Sequence, residues 1–227
     1  MAVDEGSPDD AASVRAADGR VPGPRGRATR RRLLDATAAL IVDTSFRDLT
    51  VVDIARTAGT SPATFYQYFA DVEAAILLLA EELVADGAAL TRAVRGCSWS
   101  GRAGYATAHA LVEVFLEFWE EHRTVLSIID LAIAEGDSRF RAIRNDVLQP
   151  VTVALAEVVG DLADRHPEFV EPRAQAAVLV SMLAHVAEHQ HGLAAWGAGR
   201  AAARESMARI IYWSVTARRP PTGAATS

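Results

Sequence analysis

The chain has 227 residues, 50% of them hydrophobic, so it can bury a sizeable core in one large domain or in a small domain plus a larger one. Its 23 basic residues are all arginine, which excludes enzymes that need a Schiff-base, P-loop or kinase lysine. Cys97 is the only cysteine, which excludes an internal disulfide, and no apolar run reaches the roughly 18–20 residues that span a membrane, so we expect a cytoplasmic protein without a membrane partner.

The net charge of −6 is unevenly distributed along the chain. Residues 1–14 hold four acids and no base, residues 15–69 hold nine Arg and five Asp, and residues 70–227 hold 14 Arg and 20 acids. A nucleic-acid partner is therefore expected for the N-terminal quarter only.

Residues 1–27 lack periodicity and are rich in Gly, Pro, Ala, Asp and Arg, which predicts a flexible arm. The arm contains Arg15, Arg20, Arg25 and Arg27. A run of three more arginines, Arg30 to Arg32, follows it. They either enter a minor groove, as arms of other helix-turn-helix proteins do, or form a purely electrostatic tail. The first helix is predicted to begin near Thr29 as its N-cap.

The segment from Thr50 to Phe69 predicts two short helices joined by a tight turn. Thr50, with Asp53 three residues on, has the spacing of a capping box, and Gly59 suits a helix C-terminus. Ser61 and the proline after it restart a helix at once. This pattern is typical of a helix-turn-helix, and the alternative is a tightly packed helical hairpin without a partner.

The second of these helices has two different faces. Phe65 and Phe69 lie one turn apart and are expected to pack on Ile54 and Ala58. The other face presents small, amide and hydroxyl side chains that suit base edges and phosphates, namely Ala63, Thr64, Tyr66, Gln67 and Tyr68. A glutamine can contact adenine through two hydrogen bonds, and a threonine methyl can contact the methyl group of thymine.

The rest of the chain predicts helix almost throughout, with no alternating strand pattern, so the fold class is all-α with about nine helices. Asp71 is expected to cap a helix over about 72–95. Further helices are predicted at about 102–121, 123–135, 138–165, 171–192 and 199–218.

Two short patterns suggest hydrolase chemistry. His185, Glu188 and His189 fit the H-x-x-E-H zinc pattern, which would need a further acidic ligand from downstream, where only Glu205 remains. The other interpretation is that polar residues end an apolar helix. GCSWSG, at 96–101, nearly matches a nucleophile elbow, but no strand is predicted before it, so we interpret it as a loop. We predict no catalytic residue, no metal and no cofactor.

From Leu33 to Leu77 the chain resembles, without a gap, the DNA-binding region of TetR-type transcriptional regulators. The resemblance implies an N-terminal three-helix DNA-binding domain with a helix-turn-helix at 28–75 and a C-terminal helical ligand-binding and dimerisation domain at 76–218. Residues 219–227 would be a disordered tail. It implies a ligand-responsive regulator, expected to be a repressor that binds an inverted-repeat operator in double-stranded DNA as a homodimer and is released by a small hydrophobic or amphipathic effector.

The resemblance also implies residue roles. Base contacts fall to Pro62, Ala63, Thr64 and Gln67. Contacts to the DNA backbone fall to Thr50, Tyr66 and Tyr68, with Ser61 and Arg30 beside them, and Tyr66 sometimes contacts bases as well. Two positions depart from the family pattern, Ser45 in place of Gly and Val72 in place of a phosphate-binding Lys. Since that lysine is missing, the arginine-rich arm is expected to supply more of the affinity.

Two further sets of residues follow for the C-terminal domain. An effector cavity is expected to involve His109, Phe115, Trp119, Asn145, Met182 and His185. A dimer formed by the last two helices is expected to use Val178, Met182, Val186, Met207, Ile210 and Trp213.

Overall fold

A computed structural model describes residues 23–163 and 171–221, and α-helix dominates both ranges. The helices are α1 Pro24–Asp43, α2 Val51–Thr57, α3 Pro62–Tyr68, α4 Val72–Asp86, α5 Ala88–Arg92, α6 Gly101–Glu121, α7 Arg123–Ala134, α8 Ser138–Ala163, α9 Pro172–His189 and α10 Arg200–Thr216, with a 3-10 turn at Leu193–Trp196. These two ranges contain no β-strand, and the predicted all-α class is confirmed.

The described residues form two compact units. The first runs up to Glu82 and includes Thr124–Phe140, and the second joins Leu83–Arg123 to the residues from Arg141 onward. The division predicted from the sequence, between 75 and 76, differs in two respects: the boundary lies between Glu82 and Leu83, and residues 124–140 group with the N-terminal helices. Two ion pairs connect this segment to the N-terminal part of the unit, one between Glu135 and Arg47 in the turn after α1, and one between Arg139 and Glu73 on α4.

Helix α1 begins earlier than the sequence predicts. Gly23 is its N-cap and Pro24 occupies the first helical position, where a fixed φ and a missing N–H favour a helix start. Thr29 lies inside the helix, and its hydroxyl donates to the carbonyl of Arg25 at 3.1 Å, so the N-cap role predicted for Thr29 is wrong. Residues 24–27 therefore belong to α1, whereas the remainder of the predicted arm lies outside the described residues.

The helix predicted over 72–95 is interrupted at Gly87. Its predicted cap is confirmed, since Asp71 Oδ1 accepts the N–H of Ala74 at 2.7 Å. Gly87 is buried, and a Cβ there would stand 3.2 Å from Val147 Cγ1. The N–H of Leu90 bonds the Gly87 carbonyl at 3.0 Å, a 3-10 spacing that separates α4 from α5.

In the second unit, α6 packs against α9 and α10 around a fully buried apolar core that includes Leu111, Phe115, Leu183 and Ile211. The loop before α6 lies directly on its first turn, because a Cβ at Gly104 would collide with the backbone of Trp99. Residues 97–100 are not helical, in agreement with the loop predicted for the GCSWSG segment. Every helix within 23–163 and 171–221 is too short or too polar to cross a membrane.

Candidate nucleic-acid interface

Helix α2 begins with a side-chain cap. Thr50 Oγ1 accepts the N–H of Asp53 at 3.2 Å, and the Asp53 carboxylate accepts both from the Thr50 hydroxyl and from Arg56 at 2.6 Å. The capping-box spacing predicted from the sequence is therefore used, with the aspartate bonded to the Thr50 hydroxyl. The cap fixes where α2 starts, and Thr50 is exposed there as the predicted phosphate contact requires.

The turn between α2 and α3 is closed by backbone hydrogen bonds. The N–H of Thr60 reaches the carbonyl of Ala55 at 2.9 Å, and the N–H of Gly59 reaches that of Arg56 at 3.1 Å, the pair that forms a Schellman motif. Gly59 has φ +64°, a left-handed conformation that a glycine adopts without strain. This turn fixes the direction in which α3 leaves α2.

Helix α3 starts at a second side-chain cap. Ser61 Oγ accepts the N–H of Thr64 at 3.2 Å and lies 3.0 Å from Thr64 Oγ1, so the two hydroxyls bond each other. Since the Thr64 hydroxyl bonds Ser61, we expect the methyl group to be the part of Thr64 that contacts a base.

The two faces of α3 separate as the sequence predicts. Phe65 and Phe69 are 0% and 4% exposed, with ring centres 5.3 Å apart. Tyr66 is 54% exposed, and its ring stands edge-on to Phe65 at 5.8 Å. On the outer face Ser61, Pro62, Ala63 and Gln67 are exposed, and Thr64 and Tyr68 are half-buried. The predicted base-reading residues therefore lie on the accessible surface of a helix that the buried rings of Phe65 and Phe69 hold in place.

Arg30, which the sequence predicts to contact DNA, packs against the ring of Phe69. Its guanidinium carbon stands 5.6 Å from the centre of the Phe69 ring, a cation–π distance, and the residue is half-buried. Burial lowers the pKa of Arg30, and the charges of Glu82 and Glu81 oppose that shift. This placement assigns Arg30 a packing role under α3, and its contact with DNA stays a prediction.

Neighbouring Arg31 pairs with carboxylates on two helices. Its Nε lies 2.8 Å from Asp35, and its Nη1 lies 2.9 Å from Glu82. Of these two links, the one to Glu82 connects α1 to α4. Both pairs are exposed, so each contributes little to stability individually.

The residues expected around an effector fall into two groups. Phe115 and Trp119 are 0% and 2% exposed and stack with ring centres 5.6 Å apart, and the Arg144 guanidinium carbon lies 5.4 Å from the Trp119 ring. The buried Trp119 indole N–H makes no hydrogen bond within the described part of the chain, so it could donate to a ligand. The second group is not buried with these rings: Asn145 and His185 are exposed, and Met182 is half-buried. Asn145 and His185 are thus corrected from cavity-lining to surface positions.

His109 belongs to a cluster that sequence reasoning missed. Glu205 accepts the Tyr105 hydroxyl at 2.6 Å and the Nε of Arg209 at 2.7 Å, and its other oxygen lies 3.0 Å from His109 Nε2. Burial, together with the hydrogen bond to Glu205, raises the pKa of Tyr105 to about 12. The hydrogen bonds from Tyr105 and Arg209 hold the pKa of Glu205 below its usual value. Residues 105 and 205 are 100 positions apart, so no local pattern could have paired them.

Three of the six residues predicted for a subunit contact are exposed. Val178 on α9 is 68% exposed, and Ile210 and Trp213 on α10 are 45% and 58% exposed, unusual values for large apolar side chains. Val186 is half-buried, as is Met182. Met207 is only 5% exposed and belongs to the core of its own chain, so its expected place at the surface is corrected.

The H-x-x-E-H pattern forms a spatial cluster. The potential ligand atoms of His185, Glu188 and His189 all lie within 4.8 Å of one another. The additional ligand that a hydrolase would take from Glu205 is committed to Tyr105, His109 and Arg209. The arrangement thus offers ligands for a metal ion without the acidic ligand predicted for hydrolysis.

Two capped helices joined by a fixed turn, with a small and polar outer face on the second helix, define an all-α DNA-binding protein of the helix-turn-helix class. Residues 33–79 match the family described as bacterial regulatory proteins, tetR family, and residues 90–222 match the tetracyclin repressor-like C-terminal domain. The chain therefore belongs to the TetR family of transcriptional regulators.

Solved structures agree with this family. A tetR-family transcriptional regulator from Streptomyces coelicolor is 18% identical, with 84% of this chain and 82% of that chain covered and a TM-score of 0.62. The fatty acid degradation regulator FadR from Bacillus halodurans is 16% identical over 85% of this chain and 97% of that one, with a TM-score of 0.59. FadR from Bacillus subtilis, solved in complex with stearoyl-CoA, is 13% identical over 81% and 98%, with a TM-score of 0.59. At these identities the likeness concerns the fold.

Proposed function

We propose that this protein is a ligand-responsive repressor that acts in the cytoplasm as a homodimer on an inverted-repeat operator. The observation that carries the proposal is the outer face of α3, where Pro62, Ala63 and Gln67 are exposed while Phe65 of the same helix is buried. A rigid helix with short side chains allows close approach to base edges in the major groove.

Selection of bound sequences from a random DNA pool tests the operator. We expect two half-sites in inverted orientation, about one helical turn apart or slightly more, because the recognition helices of a two-fold dimer face the same side of the duplex. Recovery of a single, non-repeated site would contradict the dimeric mode.

Gln67→Ala tests base reading within that site. The change should cost about 1–3 kcal/mol on the selected operator and relax the preference at one base pair, since a glutamine amide contacts adenine through two hydrogen bonds. Tyr68→Phe is the control, and it should weaken all sequences alike because its hydroxyl is expected to contact phosphate. An unchanged selected sequence for Gln67→Ala would exclude Gln67 from base recognition.

For the effector we propose a small amphipathic molecule with an aliphatic part, bound beside Phe115 and Trp119. The stack of these two buried rings offers an apolar wall, and the Trp119 N–H offers a polar contact. Fatty acyl-CoA thioesters are the first class to screen, because one similar structure was solved with stearoyl-CoA and that of Thermus thermophilus FadR with lauroyl-CoA.

A thermal-shift screen followed by titration into the protein–operator complex tests this proposal. An effector must weaken operator binding, and the operator must weaken effector binding by the same factor, typically about 5- to 150-fold. Trp119→Phe should reduce effector affinity while it leaves operator affinity unchanged. A compound that stabilises the protein without altering operator affinity would refute the switch.

A further inference from the structure

We propose that His185, Glu188 and His189 form a site for a divalent transition-metal ion, with Zn²⁺ as the typical occupant, on the exposed face of α9. The three potential ligand atoms lie within 4.8 Å of one another. Tetrahedral Zn²⁺ holds nitrogen and oxygen ligands at about 2.0–2.2 Å, so bound ligands stand roughly 3.4 Å apart. The three residues stand at positions i, i+3 and i+4 of one helix, so their side chains project from the same face.

The helix already orients the two imidazoles. The ring centres of His185 and His189 are 4.3 Å apart, and His189 Nδ1 lies 3.0 Å from the carbonyl oxygen of His185. In the tautomer that donates Nδ1–H to this carbonyl, Nε2 carries the free lone pair. A backbone carbonyl that fixes the tautomer in this way is a common support for a metal-binding histidine.

The cluster is distinct from the other histidine nearby. His191 lies two residues further on, but its Nε2 is 2.8 Å from Glu120 and its Nδ1 is 2.7 Å from Arg200, so both ring nitrogens are committed. Two imidazoles and one carboxylate favour Zn²⁺, Ni²⁺ or Cu²⁺ over Mg²⁺, which prefers oxygen ligands and retains its waters.

The site shares a face with the apolar residues of the proposed dimer contact. Val178 lies seven residues, or two turns, before His185, and Met182 lies between them on the same face. Three ligands from one helix leave the fourth tetrahedral position directed away from it, because His185 and His189 are exposed. A group of the second subunit can complete the coordination, so metal binding is expected to tighten the dimer, a consequence that rests on the proposed homodimer.

Titration of the full-length, chelator-treated chain with ZnCl₂ tests the site. We expect one Zn²⁺ per chain, and a loss of more than about tenfold in affinity in the double variant His185→Gln/His189→Gln, since even changes to the groups that only support metal ligands cost about 10- to 100-fold. Glutamine keeps the helix and the side-chain volume, and circular dichroism verifies the fold. His122→Gln is the matched control, because His122 also has a carboxylate nearby, Asp86 at 3.6 Å, but lies outside the cluster.

Equal Zn²⁺ affinity in the wild type and the double variant, or an equal loss in His122→Gln, would overturn the site.

Sedimentation with and without Zn²⁺ then tests the coupling between metal binding and dimerisation, which requires a metal-dependent shift towards dimer in the wild type only. Binding without that shift overturns the coupling. A wild-type monomer under both conditions refutes the proposed dimer, whereas the binding isotherm still decides the metal site.

Discussion

Thr64 shows how a side chain can be restricted in what it offers to DNA. Its hydroxyl bonds Ser61 at 3.0 Å, so we expect the methyl group to be the part that meets a base. A thymine methyl is the natural partner of such a group in the major groove.

Thr64→Val should therefore keep operator affinity close to that of the wild type, whereas Thr64→Ser should lower it about fourfold, the value of one buried methyl group at about 0.8 kcal/mol. Fluorescence anisotropy with the selected operator measures both variants side by side. The reverse order of affinities would show that the hydroxyl, and not the methyl, contacts DNA.

The local signals of the helix-turn-helix are sufficient to predict its form. Thr50, Gly59 and Ser61 act on neighbours within five residues, so caps and turn follow from the sequence alone. The charge of Arg30 suggests DNA as its partner, but its position over the Phe69 ring depends on a residue 39 positions away. Long-range partners of this kind are not encoded in any local pattern.

At the scale of elements, the Tyr105–Glu205 hydrogen bond connects α6 to α10. Tyr105 is 2% exposed and donates to a carboxylate, so Tyr105→Phe should lower the free energy of unfolding by about 1–2 kcal/mol at neutral pH. Urea unfolding measures the difference. A change in stability smaller than its experimental error would show that the hydroxyl is equally well solvated in the unfolded chain.

The same bond gives a pH dependence with a definite sign. The pKa of Glu205 is lower in the folded chain than its usual 4.5, so its contribution is present at neutral pH and is lost as the pH falls through the folded-state value. The stability difference between wild type and Glu205→Gln should shrink as urea unfolding is repeated from about pH 7 to pH 4. A difference that is constant over this range would contradict the shift.

The position of the α1 start decides how the predicted arm should be removed. A truncation of residues 1–22 keeps Gly23 as N-cap and Pro24 in the helix. It removes Arg15 and Arg20, so it should lower operator affinity and flatten the log–log salt dependence by about 0.9 for each phosphate that the arm neutralises.

A truncation of residues 1–14 is the matched control, since it removes four acids and no arginine. Its salt slope should remain as steep as that of the wild type. If both truncations give the wild-type slope, the arm makes no phosphate contact and is a passive tail, which contradicts both alternatives for the arm.

Helix positions are predicted well where apolar periodicity is long, as in α6 and α7. The interruption at Gly87 escapes such a pattern, because it depends on the approach of Val147 from α8, 60 residues away. Similarly, polarity alone suggests a cavity position for Asn145, and its exposure follows from the rotation of α8, which the sequence pattern does not determine.

For the whole molecule, the exposed apolar face of α9 and α10 carries the main prediction. Ile210→Glu should give a folded monomer with much weaker operator binding, because a charge in a buried subunit contact has no partner. Val153→Glu is the control, since Val153 is 38% exposed but lies on α8. Light scattering reports the mass, and a dimeric Ile210→Glu would place the subunit contact elsewhere.

The close approach of Gly104 to the Trp99 backbone has a consequence for how this chain can vary in length. Surface loops normally tolerate inserted residues, because closing a longer loop costs little. Here an insertion between Trp99 and Gly104 would rotate α6 by about 100° per inserted residue. A residue with a side chain would then take the place of Gly104 against the loop that contains Trp99. Related chains that have this tryptophan and glycine should therefore differ in length before residue 97 or after α6, and keep the spacing between the two residues constant.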